Sequence, residues 1–190
     1  KISAGEVVER PASIVKELVE NSIDAGATEI RIEIESGGVN NIIVSDNGCG
    51  IEKEDLVTAF LPHATSKIRT DKDLENILSL GFRGEALASI SAVSRVKLSS
   101  KTKDAQSGYM IKVDGGEFGK ITEVARAQGT SISCANLFFN TPVRMKFLRK
   151  PKTEEAEITA LVERFMLAHS DISFQYYVDG KQIYNTTSCS

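Results

Sequence analysis

The residues equipped to do chemistry fall in three short stretches. On a helix, Glu17, Asn21 and Asp24 cluster within about 60° of one another, with a carboxylate and an amide one turn apart. Asp46 ends an apolar run and enters the turn Asp46-Asn47-Gly48-Cys49-Gly50. Farther on, Gly81-Phe82-Arg83-Gly84-Glu85-Ala86 opens a segment of small and apolar residues. Together they supply the parts of a nucleotide site: a water activator, a metal holder, a base reader and a phosphate cradle.

Each part has a functional and a plain reading. An amide oxygen at Asn21 can share Mg²⁺ with substrate phosphates, while a carboxylate at Glu17 polarises a water as general base. The plain reading of Glu17, Asn21 and Asp24 is a solvated helix face. Asp46, at a strand end, can accept a hydrogen bond from an exocyclic amine such as that of adenine. The plain reading is turn chemistry, since Asp-Asn-Gly is a common turn sequence. Gly81, Arg83 and Gly84 precede a helix, and a helix N-terminus offers free N–H groups to a phosphate. The spacing is neither a Walker-type loop nor a dinucleotide-binding glycine run. His63 and His169 lack Cys or carboxylate partners at ligand spacing and read as structural.

The elements that must position these groups are legible as periodicities. Pro11 suits a helix start and Gly26 a helix stop. Between them Val15, Leu18, Val19 and Ile23 fall on the side opposite Glu17. Ile30 to Glu35 alternates as a half-buried strand, Gly37-Gly38 turns, and Ile42 to Ser45 returns. Glu54 to Phe60 reads as a short helix, and Leu61 to Phe82 as a long mobile loop. Gly84 to Val93 reads as a helix of small and apolar residues. Strand-like runs follow at Val96–Ser100, Tyr109–Val113, Lys120–Val124 and Thr130–Cys134. Thr153 to His169 is an amphipathic helix, and Phe174 to Asn185 a hairpin turning at Asp179-Gly180. The expected fold class is an α/β (α+β) two-layer sandwich, a mixed, mostly antiparallel sheet of about eight strands with helices on one face.

The chain has 190 residues, 41% hydrophobic and 26% charged, as in an ordinary globular protein of one domain. No apolar run approaches the ~18–20 residues that cross a bilayer, and no signal-peptide pattern opens the chain. It begins at Lys1 and ends at Ser190 after a strand-like stretch, so a fragment of a longer protein is expected. With a net charge of −3, bulk electrostatics do not advertise nucleic acid. Arg144, Lys146, Arg149, Lys150 and Lys152 are either a local DNA-binding patch or a solvated loop leading into a helix. Cys49, Cys134 and Cys189, odd in number and without metal spacing, indicate a reducing interior.

The wording of four boxes, in order, resembles the MutL family of DNA mismatch repair proteins. They are Glu17-Leu-Val-Glu-Asn21-Ser-Ile-Asp24-Ala25-Gly26, Asp46-Asn-Gly-Cys-Gly50-Ile51, His63-Ala-Thr-Ser-Lys67-Ile68 and Gly81-Phe-Arg-Gly-Glu-Ala-Leu87. Leu137-Phe-Phe-Asn-Thr-Pro142 and Lys146-Phe147-Leu148 extend the likeness over nearly the whole chain. That family shares a superfamily with DNA gyrase B subunits, a heat-shock chaperone and histidine kinases. The resemblance, nearest to bacterial members, implies a Bergerat-type ATP-binding fold and a Mg²⁺-dependent ATPase. By similarity, Glu17 is the general base, Asn21 the Mg²⁺ ligand and Asp46 the reader of the adenine amine. Asp24 shares the helix face, and Gly48 and Gly50 line the adenine pocket. Thr65, Ser66 and Lys67 belong to a lid; Gly81, Phe82, Arg83, Gly84, Glu85, Ala86 and Leu87 cradle the phosphates. Thr130 supports Asp46 and the base.

The resemblance also implies partners: DNA, a MutS-type mismatch sensor, and a second copy of the full-length protein on ATP binding. It implies work in the bacterial cytoplasm, where an ATP-driven clamp cycle couples mismatch sensing to strand incision. In relatives a second N-terminal domain supplies a lysine to the γ-phosphate and a C-terminal domain dimerises. Both are expected to lie outside this chain, which is therefore expected to bind ATP, turn it over slowly and dimerise poorly. Two other classes stay open at this stage. One is a topoisomerase or chaperone ATPase domain, against which the Gly81–Leu87 wording and Lys67 speak. The other is a non-enzymatic DNA-binding module whose carboxylates are structural.

Overall fold

The computed structural model describes residues 8–62 and 85–188. Helix α1 spans Pro11–Asp24. Pro11 sets the first turn, and the preceding Arg10 is extended (φ −144°, ψ 155°), as the residue before proline prefers. At the other end Gly26 takes φ +72°, Gly26 N–H donates to the Ile23 carbonyl, and Ala27 N–H to that of Ser22. This is the left-handed stop that glycine permits. Ile14, Val15, Leu18 and Val19 are buried on one arc, each stabilising by about 1.5–3 kcal/mol.

The sheet holds β1 (Glu29–Glu35), β2 (Asn41–Asp46), β3 (Arg95–Lys101), β4 (Gly108–Asp114), β5 (Glu117–Phe118), β6 (Thr122–Val124), β7 (Gly129–Ala135), β8 (Ser173–Val178) and β9 (Lys181–Asn185). The described residues run in the order β5-β4-β3-β7-β2-β1-β8-β9, with β6 also on β4. The β1–β8 pair is parallel and the other pairs are antiparallel. Helix α2 (Ala86–Val93) packs on β3 and β4, and α4 (Pro151–Ala168) on α1, β8 and the tight turn Ser36–Gly38. A short α3 spans Pro142–Lys146.

Strand register fixes one face of this sheet as the core. Tyr176, Ile32, Val44, Ile132, Leu98 and Ile111 form a row across six strands and are all buried. Between them along each strand come outward residues such as Arg31, Lys97 and Lys112. The Arg31 guanidinium covers the Tyr177 ring at 4.1 Å on that outer face. The fold is thus the expected mixed, mostly antiparallel sheet. Burial pushes the Cys134 thiol up to about 12, so it behaves as a small apolar side chain.

Some elements depart from expectation. Glu54–Phe60 is not one helix but two tight turns, Lys53–Asp55 and Thr58–Phe60. Leu56 and Phe60 are both buried four residues apart, which is the helical signal, but the intervening backbone does not sustain it. The described part of the Gly84–Val93 helix starts at Ala86, and the Lys120 strand starts at Thr122, where pairing with β4 begins. A ninth strand, β5, follows the Gly115-Gly116 turn, and α3 forms where a loop was expected.

One buried charge staples the α1 entrance to α4. Glu154, with a fully buried side chain, accepts from Arg10 Nη1 at 2.9 Å and from Arg149 backbone N, Nε and Nη2 at 3.0–3.1 Å. Burial works to raise the Glu154 pKa, but the Arg149 hydrogen bonds and the Arg149 and Arg10 charges outweigh it and hold it below the ordinary value. A depressed folded-state pKa contributes stability that is present above the unfolded value and lost as pH falls through the folded one. Glu154→Gln is expected to cost about 2–4 kcal/mol at neutral pH. In urea titrations the gap to wild type should narrow as pH falls below ~4.3, the free glutamate value; a gap independent of pH would contradict this account.

Candidate functional site

Two residues along each strand from the apolar row lies a second one, Phe174–Ile30–Asp46–Thr130–Ser100–Tyr109. The pleat directs it to the same face, so Asp46, Thr130 and Ser100 continue the core stripes of β2, β7 and β3 with polar groups. Such groups are held only if hydrogen-bonded, and these are. The Ser22 hydroxyl donates to Asp46 Oδ2 at 2.7 Å, with the Leu18 carbonyl at 3.2 Å. Asp46 Oδ1 accepts from the Gly48 N–H at 2.9 Å and the Thr130 N–H at 3.3 Å. The carboxylate is thereby clamped between α1, its own turn and β7.

The turn is fixed from several sides. Asn47 Oδ1 accepts from the Thr28 and Glu29 N–H groups at 2.9 and 3.0 Å, and its Nδ2 donates to Thr28 Oγ1 at 2.9 Å. Cys49 N–H donates to the Ala25 carbonyl at 3.0 Å. A Cβ on Gly48 would stand 2.8 Å from Ala25 Cβ, so the Gly48–Ala25 contact requires its small residues. Gln128 Nε2 donates to the Gly48 carbonyl at 3.1 Å. Gly129, at φ +119°, lies where a Cβ would be 2.0 Å from the Asp46 carbonyl oxygen. Gly50 rests over the Lys101 carbonyl. Arg126 bonds Ser99; burial lowers its pKa, and the nearby Asp46 charge works against that.

The expected residues therefore divide into groups. Asp46, Gly48 and Thr130 meet in one hydrogen-bonded cluster, with α1 docked on it through Ser22. Glu17 and Asn21 are half-buried on the side of α1 away from its apolar arc, and Asp24 is exposed at its last turn. Glu85, Ala86 and Leu87 start α2, which packs on β3, β4 and the turn Thr58–Phe60. Thr65, Ser66, Lys67, Gly81, Phe82, Arg83 and Gly84, and also His63, lie outside the described residues. Ser22, Ser100 and Gln128 are contributors that pattern reading passed over. Ser22 did carry a signal: it is a polar residue at the centre of the apolar arc of α1.

Residues 9–136 match the family described as histidine kinase-, DNA gyrase B- and HSP90-like ATPases. The chain belongs to that family. Within this ATPase family it is similar to DNA mismatch repair protein MutL of Trichlorobacter lovleyi, 54% identical over 183 residues. That alignment covers 96% of this chain and 31% of the relative. MutL of Neisseria meningitidis is 51% identical over 97% of the chain and 28% of its own length. The chain thus spans about a third of the curated relatives it matches. Among solved structures, the Aquifex aeolicus MutL ATPase domain complexed with ADP superposes at a TM-score of 0.78 with 34% identity, covering 97% of this chain and 66% of that one. The N-terminal domain of a DNA repair protein superposes at 0.83 with 30% identity, covering all of this chain and 56% of that one. The family resemblance read from the four boxes is the one these likenesses show.

Proposed function

We propose that this chain is the ATP-binding and hydrolysing region of a MutL-type mismatch repair protein. The observation that carries the proposal is the Asp46 clamp. Three donors hold a carboxylate at the rim of an apolar core, and the helix that supplies one of them carries Glu17 and Asn21, half-buried, on the side away from its core arc. A fixed acceptor of that kind suits the 6-amino group of adenine and disfavours a purine that presents an oxygen there.

The proposed reaction is in-line attack of water on the γ-phosphate. Glu17 accepts the water's proton. Among the described residues no three His, Cys, Asp or Glu side chains gather as a metal cage. The donors on offer, the Asn21 amide oxygen and the substrate's own phosphates, fit Mg²⁺, which keeps few protein ligands and favours oxygen. When bound, Mg²⁺ neutralises charge on the phosphate oxygens. The proposed phosphate cradle is Gly81 to Leu87, ending on the α2 N-terminus, with Thr65, Ser66 and Lys67 over the nucleotide. DNA, a MutS-type sensor and a second copy of the complete protein are the proposed partners. Arg149 and Lys152 of the basic segment are engaged with Glu154, Glu157 and Glu155; among the described residues Arg144, Lys146 and Lys150, beside exposed Phe147 and Val143, make no ion pair and are the cations proposed to meet a polyanion. Among the described residues no helix is long and apolar enough to cross a membrane.

Calorimetric titration with Mg²⁺ and a non-hydrolysable ATP analogue tests the site. Asp46→Asn is expected to weaken binding by ~10²-fold or more; wild-type affinity in that variant would sink the base-reading role. Asn21→Ala should lose the Mg²⁺-dependent part of the affinity, so equal binding with and without a chelator is the expected result. Glu17→Ala should keep nucleotide affinity while kcat drops ~10²–10⁴-fold. Undiminished turnover would remove Glu17 from the role.

A further inference from the structure

Ser100 lies in the middle of the sheet, on β3, and is almost fully buried, at 1% exposure. Its Oγ accepts from the Ile51 N–H at 2.7 Å, donates to the Gly129 carbonyl at 3.0 Å, and sits 2.8 Å from Thr130 Oγ1. A serine hydroxyl has one proton to give and two lone pairs to fill. The carbonyl can only accept, so it takes the serine proton. The Ile51 N–H fills one lone pair, and the Thr130 hydroxyl, donating, fills the other. Ser100 is then at full capacity, and the direction of the Thr130 proton is set: toward β3, leaving the Thr130 oxygen an acceptor to everything else.

What Ser100 grips gives this a use. Ile51 is the exit of the Asp46–Gly50 turn. Gly129 and Thr130 form the strand start that closes on Asp46, through the Gly129 backbone approach and the Thr130 N–H. One hydroxyl thus ties both sides of the Asp46 cluster to β3, in the same register row as Asp46 itself. We infer that Ser100 is a positioning residue for purine selectivity: by holding Ile51, Gly129 and Thr130 together it fixes the Asp46 acceptor and the polarity of Thr130. This rests on the proposed nucleotide site.

Ser100→Ala removes the hub; Ser100→Thr keeps the hydroxyl. Calorimetry on wild type and both variants with ATP and GTP analogues, alongside thermal melts, tests the inference. Folded Ser100→Ala is expected to bind the ATP analogue roughly 10–100-fold more weakly and to lose part of its preference for ATP over GTP. Ser100→Thr should recover both affinity and preference. A purely structural serine would lower the melting temperature and leave the preference alone, and that result overturns the inference. Amide hydrogen exchange on the wild type tests it without any variant. The Ile51 amide should gain protection when the ATP analogue binds, and unchanged protection in a nucleotide-loaded sample counts against the role. A wild-type protein that binds no ATP analogue overturns the nucleotide site itself; binding by wild type with unaltered Ser100→Ala overturns only the assignment of Ser100.

Discussion

A carboxylate placed at the edge of a hydrocarbon core is the constraint on which the rest of this molecule turns. Asp46 occupies the next inward position of a stripe whose other members, Ile42 and Val44, are buried. Leaving such a group without partners costs more than most single contacts in the fold contribute. The surrounding structure answers that demand from three directions: a hydroxyl on α1, a backbone N–H in its own turn, and a backbone N–H from β7. Each answer imposes a further requirement. Ser22 must sit in the apolar arc of α1, Gly129 must pass within steric reach of the Asp46 carbonyl, and Gly48 must stay small against Ala25.

The same requirement explains why the proposed chemistry and the proposed recognition are on one rigid body. Helix α1 is oriented by its buried arc, including Ser22, and the Asp46 clamp fixes its rotation. Glu17 and Asn21 lie on the opposite, half-buried arc, so their direction follows from the packing of Ile14, Leu18 and Val19. The Arg10–Glu154–Arg149 staple fixes the other end of α1 against α4. A helix held at both ends on a sheet presents the face proposed to do the chemistry with little freedom left to lose on binding, which is the condition for preorganised catalysis.

Much of this was legible in the residues. The 3.6 period of α1, its proline start and glycine stop, and the alternation of β1 and β2 each come from local physics that tertiary contacts reinforce. The Asp46 turn stood out by its residue types at a strand end, whereas Thr130 and the roles on the α1 face came only from the family wording, because a solvated helix face carries the same residue types. What escaped lies in contacts between distant segments. Glu54–Phe60 carries a helical spacing that two tight turns satisfy equally well, because only Leu56 and Phe60 are buried. Strand β5 has two residues and no period to read. Gln128 is an ordinary loop glutamine until the fold brings it to the Gly48 carbonyl, eighty positions away.

Ser22 and Ser100 belong to a different class, because both were visible as anomalies. Ser22 interrupts an apolar helical arc, and Ser100 follows Val96 and Leu98 on an apolar strand stripe, as Asp46 follows Ile42 and Val44. A polar residue continuing a buried stripe has two physical fates: it satisfies itself locally, or it is met by a partner on another stripe that breaks in the same way. Ser94, whose hydroxyl bonds the Ile90 carbonyl four residues back, takes the first course. Ser22 with Asp46, and Ser100 with Thr130, take the second. Stripes that break at the same sheet level therefore point to one another before any coordinates are known, and in this chain the breaks in α1, β2, β7 and β3 converge on the level where the nucleotide base is proposed to sit.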